Sequence, residues 1–341
     1  MNLTGNESFT QEKFRALFEE RSRRVLALFR QNAVSGVSDP KLLEVLHFVC
    51  DYWKDNFRPA FASFCCEAVG GTGEAADDVS LMITLTSAGG GIHDDIVDKS
   101  SNKHFRMTVL GEYGLDCALL VGDLLIQKGW ALIRDIQKSQ PDKLAEIVDV
   151  FGRWTLDVCE AEFMEIQCRQ TLETELNRYE NLLSKSIADT QACARLGSMM
   201  GGGSKSEIEA LSRFATRLGF MFRLADDLKD VLDIEYNLFN RLRYESVPLP
   251  ILYAAKTSGE IKPVFETIVK KSFIGMLDLQ NLLEVCKGAG AFNYVDKRAK
   301  ETRKDALKNL EFLGDTTPKR ALAFIINDIF SEISELVARV S

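Results

Sequence analysis

The chain has 341 residues, 46% apolar and 27% charged, a composition that excludes wholesale disorder and fits a globular protein. Acidic residues outnumber basic ones, 50 against 42, for a net charge of −8, the opposite of a nucleic-acid binder's balance. No run of 18 apolar residues occurs, and the most apolar stretch, 118–126, is broken by Asp123, so no membrane span is expected.

The opening MNLTGNESFTQEKF has no apolar core and no cleavage-like site, so no signal peptide is expected, and residues 1–10 read as a flexible N-terminus. Apolar residues then recur at helical spacing: Phe14, Leu17 and Phe18; Val25, Leu26 and Phe29; Leu42, Val45, Leu46 and Val49; and, far along the chain, Leu322, Ile325 and Ile329. Asp39-Pro40, Gln140-Pro141-Asp142, Gly201–Ser204 and Thr316-Thr317-Pro318 punctuate these segments as turns or caps. Period-two alternation is almost absent, and no linker is rich enough in Pro, Gly or Ser to split the chain. The expectation is an all-α single domain spanning 1–341, with ten to twelve helices. Eight cysteines without a C-x-x-C pair, and only three histidines, indicate reduced, buried thiols in a cytoplasm rather than a disulfide scaffold or a zinc site.

Two acidic clusters stand out. In GGGIHDDIVDKS, Asp94 and Asp98 are four residues apart and share a helix face, with Asp95 beside them. About 130 residues on, FRLADDLKDVLDIE repeats the D-D-x-x-D spacing with Asp226, Asp227 and Asp230. Like charges at this spacing destabilise a bare helix. One acidic triplet is commonly a solvated face. Two, each entered from an apolar stretch, point to a metal site, and oxygen-only ligands favour Mg²⁺ shared with a substrate phosphate.

With both motifs in view, the sequence resembles the trans-isoprenyl diphosphate synthases (farnesyl, geranylgeranyl and polyprenyl synthases) from about residue 40 to 335. KDNFRP at 54–59 resembles the family's Gly-Lys-Arg-x-Arg-Pro segment. Tyr113-Gly114 through 118–125 resembles its Y-G…A-x-L-x-G-D-x-L stretch. LLSKSIADTQACARLG resembles its Lys-Thr helix, placing Lys185, Ser186 and Gln191, and VPLPILYA at 247–254 resembles its T-L-P segment. The resemblance implies an isoprenoid synthase bundle around a deep cavity, the two motifs facing each other at its mouth. It also implies three Mg²⁺ ions, an allylic prenyl diphosphate donor, donor contacts from Lys185, Arg106 and Arg223, further substrate contacts from Lys103 and Gln191, and a homodimer. The metals would stabilise the departing diphosphate as the allylic C–O bond breaks.

The departures from the family concentrate on the isopentenyl diphosphate sub-site. Its Lys is Asp55, although Arg58 is kept; its His or Gln, seven before Asp94, is Ser87; and its Arg-Arg pair is Lys103-His104. The family's Gly-Lys-x-x-Gly-Lys-Asp after the second motif is replaced by DIEYNLFNRLRYESVPLP, where Arg241 and Arg243 either supply positive charge or lie on a solvated turn. The Gln three before the second motif is Arg223. The expected reaction is therefore ionisation of an allylic diphosphate with transfer to an unidentified acceptor other than isopentenyl diphosphate. Conventional chain elongation, a class I terpene synthase and a non-catalytic partner subunit are the alternatives. Gly89 and Gly90, five and four before Asp94, leave nothing bulky there, so a tail of C20 or longer is expected, with tight helix packing as the other reading. The product would touch membranes only peripherally, through its lipid.

Overall fold

A computed structural model describes residues 9–103, 106–233, 237–271 and 275–340. Residues 1–8, most of the segment read as a flexible terminus, and His104 lie outside the described residues.

The protein is all-α, as expected. The first helices are α1 (Gln11–Val34), α2 (Pro40–Tyr52), α3 (Phe57–Ala68) and α4 (Asp77–Val97). A two-residue antiparallel ribbon, β1 (Asn102–Lys103) and β2 (Arg106–Met107), follows. Next come α5 (Val109–Tyr113), α6 (Leu115–Ala131), α7 (Ile133–Ser139), α8 (Leu144–Gln167), α9 (Leu176–Ser186) and α10 (Ala188–Met200). The chain closes with α11 (Lys205–Leu232), α12 (Asn237–Tyr244), α13 (Leu249–Thr257), α14 (Ile261–Lys270), α15 (Met276–Gly288), α16 (Ala291–Lys308) and α17 (Thr317–Ala338). Short helices such as α5, α7 and α12 raise the number of segments above the ten to twelve periodic stretches. The Asp39-Pro40 signal acts as read: Asp39 caps α2 by accepting from the Leu42 amide at 2.9 Å, with Pro40 opening the helix.

Tertiary packing groups the chain into two compact units, residues 1–155, 189–212 and 310–324 in one and 156–188, 213–309 and 325–341 in the other. In the first, Val25 and Phe29 of α1, Leu46 and Val49 of α2, Leu85 and Ala88 of α4, and Val121 and Leu125 of α6 form a continuous buried core. In the second, Tyr179, Leu182 and Leu183 of α9, Leu218, Met221 and Leu228 of α11, and Leu238 and Leu242 of α12 are fully buried. Among the described residues no helix is long and apolar enough to cross a membrane. All eight cysteines are unpaired, and six are buried; Cys117 is half-buried and Cys159 is exposed, so the expectation of buried thiols fails at Cys159.

The glycines of α4 have separate tasks. A Cβ on Gly89 would lie 2.5 Å from the Gly122 carbonyl oxygen of α6, so Gly89 is a close-packing position between two helices. Gly91 is covered by the Trp53 ring, 2.8 Å from the position a Cβ would take. Gly90 alone of the three faces open space, with nothing within 4 Å. The packing reading therefore holds at Gly89 and Gly91, and room for a ligand exists at Gly90. We expect Gly89→Ala to lower stability by about 1–3 kcal/mol, because backbone must move to admit the methyl. Gly90→Ala should be neutral or raise stability by up to about 1 kcal/mol, through helix propensity. Urea denaturation of both variants checks this, and equal losses would contradict the division.

Candidate active site

The first acidic motif sits where α4 ends. Asp98 is the C-cap residue, its amide bonded to the Asp94 carbonyl at 2.9 Å, so all three carboxylates gather at the negative end of the helix. Chain geometry supplies one answer to that charge. The turn after α4 brings β1 back over the helix end, and Lys103 Nζ lies 2.9 Å from Asp94 Oδ2 and 2.7 Å from Asp95 Oδ1. Burial raises the Asp95 carboxyl above its ordinary value against the pull of Lys103. Lys103 is driven the other way: burial would lower its pKa, but Asp94 and Asp95 raise it, so it stays charged. Two carboxylate oxygens converging on one cation are a fit for Mg²⁺, which typically takes one or two carboxylates and completes its shell from phosphate and water. Arg106, on β2, is exposed beside this turn.

Arg58, the arginine kept from the acceptor segment, is already engaged. Asp55 caps α3 by accepting from the Phe57 and Arg58 amides at 3.1 and 3.2 Å, and its other oxygen takes Arg58 Nη1 at 2.8 Å. The rest of the guanidinium goes to Asp189 Oδ2, with Nε at 2.7 Å and Nη2 at 2.6 Å. Arg58 thus carries two carboxylates, a local excess of one negative charge. Ser87, on the buried face of α4, is 8% exposed and its Oγ has no hydrogen-bond partner. Gln191 is half-buried on α10.

The second motif sits near the end of α11. Its three aspartates differ sharply. Asp226 is half-exposed, with Lys229 3.9 Å away. Asp227 is 1% exposed and engaged on both oxygens: Tyr179 Oη donates at 2.9 and 2.8 Å, Arg241 Nη2 at 3.1 Å to Oδ1, and the Leu249 amide at 2.9 Å to Oδ2. Burial still leaves its carboxyl raised, with Arg241 and Arg223 pulling it down. Asp230 is pushed up to about 7, chiefly by burial, while Arg241 opposes and Glu245, Asp227 and Asp226 add to the rise. Arg241 is 3% exposed, so the solvated-turn reading of this residue is corrected: α12 turns its guanidinium inward. Glu165 of α8 joins the same buried group, accepting from the Ser246 amide at 3.0 Å and the Ser246 hydroxyl at 2.6 Å.

Of the other expected residues, Arg223 faces Glu165 and Asp227 electrostatically. Lys185 donates to Asp157 at 3.2 Å and to Glu160. Tyr179, Glu165, Asp189 and Arg241 were not marked as site residues from sequence. Tyr179, six before Lys185, and Glu165, an acid inside an apolar-periodic helix, were the available signals. Among the described residues no three His, Cys, Asp or Glu side chains stand grouped as a metal centre.

This chain matches the polyprenyl synthetase family over residues 40–285. It is 25% identical to an all-trans-nonaprenyl-diphosphate synthase (geranyl-diphosphate specific) from Rhodobacter capsulatus over 287 residues, 82% of this chain and 86% of the relative. It is 24% identical to the octaprenyl diphosphate synthase of Escherichia coli, covering 84% and 88%. In structure it resembles a decaprenyl diphosphate synthase from Rhodobacter capsulatus, with TM-score 0.84, 20% identity and coverage of 97% and 100%. It also resembles a polyprenyl synthase from Caulobacter crescentus solved with calcium and isoprenyl diphosphate, with TM-score 0.80, 18% identity and coverage of 96% and 99%. The fold is thus that of the isoprenyl diphosphate synthases. The chain belongs to the polyprenyl synthetase family and is a prenyltransferase.

The buried acid Glu165 gives a pH signature. Burial alone would raise its carboxyl, but Arg241, Arg223 and the two Ser246 bonds hold it down at about 2. A depressed folded-state value stabilises the fold above the unfolded carboxylate range and is lost as pH falls through it. Wild type should therefore exceed Glu165→Gln by on the order of 2–3 kcal/mol above pH ~5, converging as pH approaches ~2. Calorimetric unfolding across that range checks it, and a difference independent of pH would contradict it.

Proposed function

We propose that the chain is a magnesium-dependent prenyltransferase that ionises an allylic prenyl diphosphate and passes the prenyl group to an acceptor other than isopentenyl diphosphate. The observation that carries the second half is the pairing of Arg58 with two carboxylates, which takes up three of its five N–H groups. The one basic residue kept from the acceptor segment is held by Asp55 and Asp189, so the cluster offers a second diphosphate a net negative charge. Coulomb repulsion at such range is worth about 1–4 kcal/mol per unit-charge pair between water and a protein-surface dielectric.

Asp94, Asp95, Asp98, Asp226 and Asp230 are the proposed magnesium-holding carboxylates. Asp227, expected as a ligand, is better supported as the anchor of its motif. Bound magnesium would supply charge stabilisation to the departing diphosphate. Lys103, freed from Asp94 and Asp95, would then donate to the diphosphate, with Arg106, Lys185 and Gln191 adding polar contacts. A closed site would have to exclude water, which would otherwise quench the allylic cation. Open space at Gly90, one turn before Asp94, supports a tail of C20 or longer. Both units serve one synthase-like domain of residues 1–341, in the cytoplasm. We further propose a homodimer. Leu115, Leu119 and Leu120 of α6 are 55%, 48% and 67% exposed, an apolar face for which a second copy is the occupant the family resemblance supports.

Conventional elongation is the second reading, favoured by the relatives, which are named as nonaprenyl and octaprenyl diphosphate synthases. Incubation with farnesyl, geranylgeranyl and longer diphosphates, with and without isopentenyl diphosphate and with candidate acceptors, separates the two by product mass. We expect pyrophosphate release with little extension, and its loss in Asp94→Ala and Asp226→Ala. Efficient extension would establish the second reading, and unchanged turnover in both variants would remove the metal assignment. Leu119→Asp/Leu120→Asp should shift the mass by light scattering from dimer to monomer, and an unchanged mass would place any interface elsewhere.

A further inference from the structure

The segment after the second motif lacks the glycines of the family pattern and forms a helix, α12, with Arg241 fully inside the second unit. Its guanidinium touches more of the motif than any other basic group described there. Nη2 reaches Asp227 Oδ1 at 3.1 Å, Tyr179 Oη at 3.3 Å and Ser246 Oγ at 3.4 Å. Nη1 donates to Glu245, four residues along the chain, and lies 3.9 Å from Glu165 Oε1. Nε lies 3.8 Å from Asp230 Oδ2, buried and without a hydrogen-bond partner. One cation therefore binds the middle aspartate firmly and stands just short of the third.

We propose that Arg241 is the positioning residue of the second motif: it fixes Asp227 as an anchor and holds Asp230 in line, so that Asp226 and Asp230 present their oxygens to a divalent cation. The uneven reach supports this. At 3.8 Å the guanidinium attracts the Asp230 carboxylate through charge without a hydrogen bond, so the lone pairs of Oδ2 are not taken up by it. The planar fork matters as well. Nε and Nη2 point in fixed directions, so one side chain sets two carboxylates relative to each other, which an ammonium group cannot do. Ser246 and Glu165 hold the far side of the fork, and the Leu249 amide and Tyr179 hold the far side of Asp227, so neither partner can drift. The inference rests on the donor half of the proposed function and is independent of the acceptor.

The test is a titration of Mn²⁺ in the presence of inorganic pyrophosphate, followed by the electron paramagnetic resonance of free Mn²⁺, on wild type, Arg241→Lys, Asp227→Asn, the double variant and Arg243→Ala. Arg243 is the comparison because its guanidinium donates to the Lys271 carbonyl and stacks over the Phe239 ring. We expect Arg241→Lys and Asp227→Asn each to weaken Mn²⁺ binding by about 10- to 100-fold, the usual effect of losing a group that orients a metal ligand. The double variant should be no worse than the weaker single. The KM for the allylic donor should rise more than kcat falls. Arg243→Ala should lower the melting temperature and leave Mn²⁺ binding unchanged.

A melting temperature lowered in Arg241→Lys with Mn²⁺ affinity and donor KM as in wild type would make Arg241 a stability residue only and overturn the inference. Should Arg241→Lys fail to fold, Asp227→Asn carries the same test, and unchanged affinity there overturns it equally. Wild type that binds no Mn²⁺ with pyrophosphate would remove the donor reading and the inference with it, a result distinct from a variant that matches a binding wild type.

Discussion

Negative charge collected at the C-terminal end of a helix is the constraint on which the site depends. Asp94 and Asp95 stand in the last turn of α4 with Asp98 at its C-cap, and Asp230 stands in the last turn of α11 with Asp226 and Asp227 one turn earlier; in a last turn the helix dipole already disfavours an anion by about 0.3–1 kcal/mol. Burial adds more, as the raised carboxyls of Asp95, Asp227 and Asp230 show. A nearby cation opposes that rise at each of these three carboxylates. In both places the segment that follows the helix folds back to supply one: β1 returns Lys103 to α4, and α12 returns Arg241 to α11. The two cations differ in kind. Lys103 is partly exposed on a short ribbon, a single point charge that can leave when a harder cation arrives. Arg241 is enclosed, forked and shared among several acceptors, so its charge is part of the fold.

How the aspartates of α4 come to be presented is a matter of packing. The close approach of α4 to α6 at Gly89 and Gly122 fixes the helix lengthwise, and Trp53 over Gly91 fixes its rotation. With two glycines used for contact, the third, Gly90, is left turned to open space one turn before Asp94. A helix that gives up propensity at three consecutive positions thus obtains a rigid seat and an unfilled side at once. Propensity loss of about 1 kcal/mol per glycine is small beside the burial of the aliphatic residues of α1, α2, α4 and α6 around it.

The helices, their caps and both acidic motifs were legible in the sequence because each is local: a period of 3.6, a cap residue before a proline, a four-residue spacing. What escaped was non-local. Nothing in the sequence around Asp227 marks it as buried, because its partners Tyr179, Arg241 and Leu249 come from three other elements. Arg241 reads as a turn residue because the stretch around it is polar, and its burial follows only once Leu238 and Leu242 of the same helix face the core. Asp55 reads from sequence as a charge reversed against a substrate. In the structure it is first an α3 cap and a partner for Arg58.

That last point changes what a retained residue means. By resemblance to the family Arg58 falls at the position of a diphosphate-binding arginine, but a guanidinium acts on a ligand only with donors left to give. Three of its five N–H groups are committed to two carboxylates within one half-buried cluster. Freeing them would require breaking charge-assisted hydrogen bonds, each worth about 1.5–3 kcal/mol, and would leave Asp189 without its cation. A bound diphosphate would have to repay that cost while opposing the excess negative charge. Substituting Asp for Lys at position 55 therefore does more than delete one contact. Under the proposed function it would make the neighbouring arginine a counter-ion rather than a substrate ligand, so that a single change of charge would alter the chemistry of two positions.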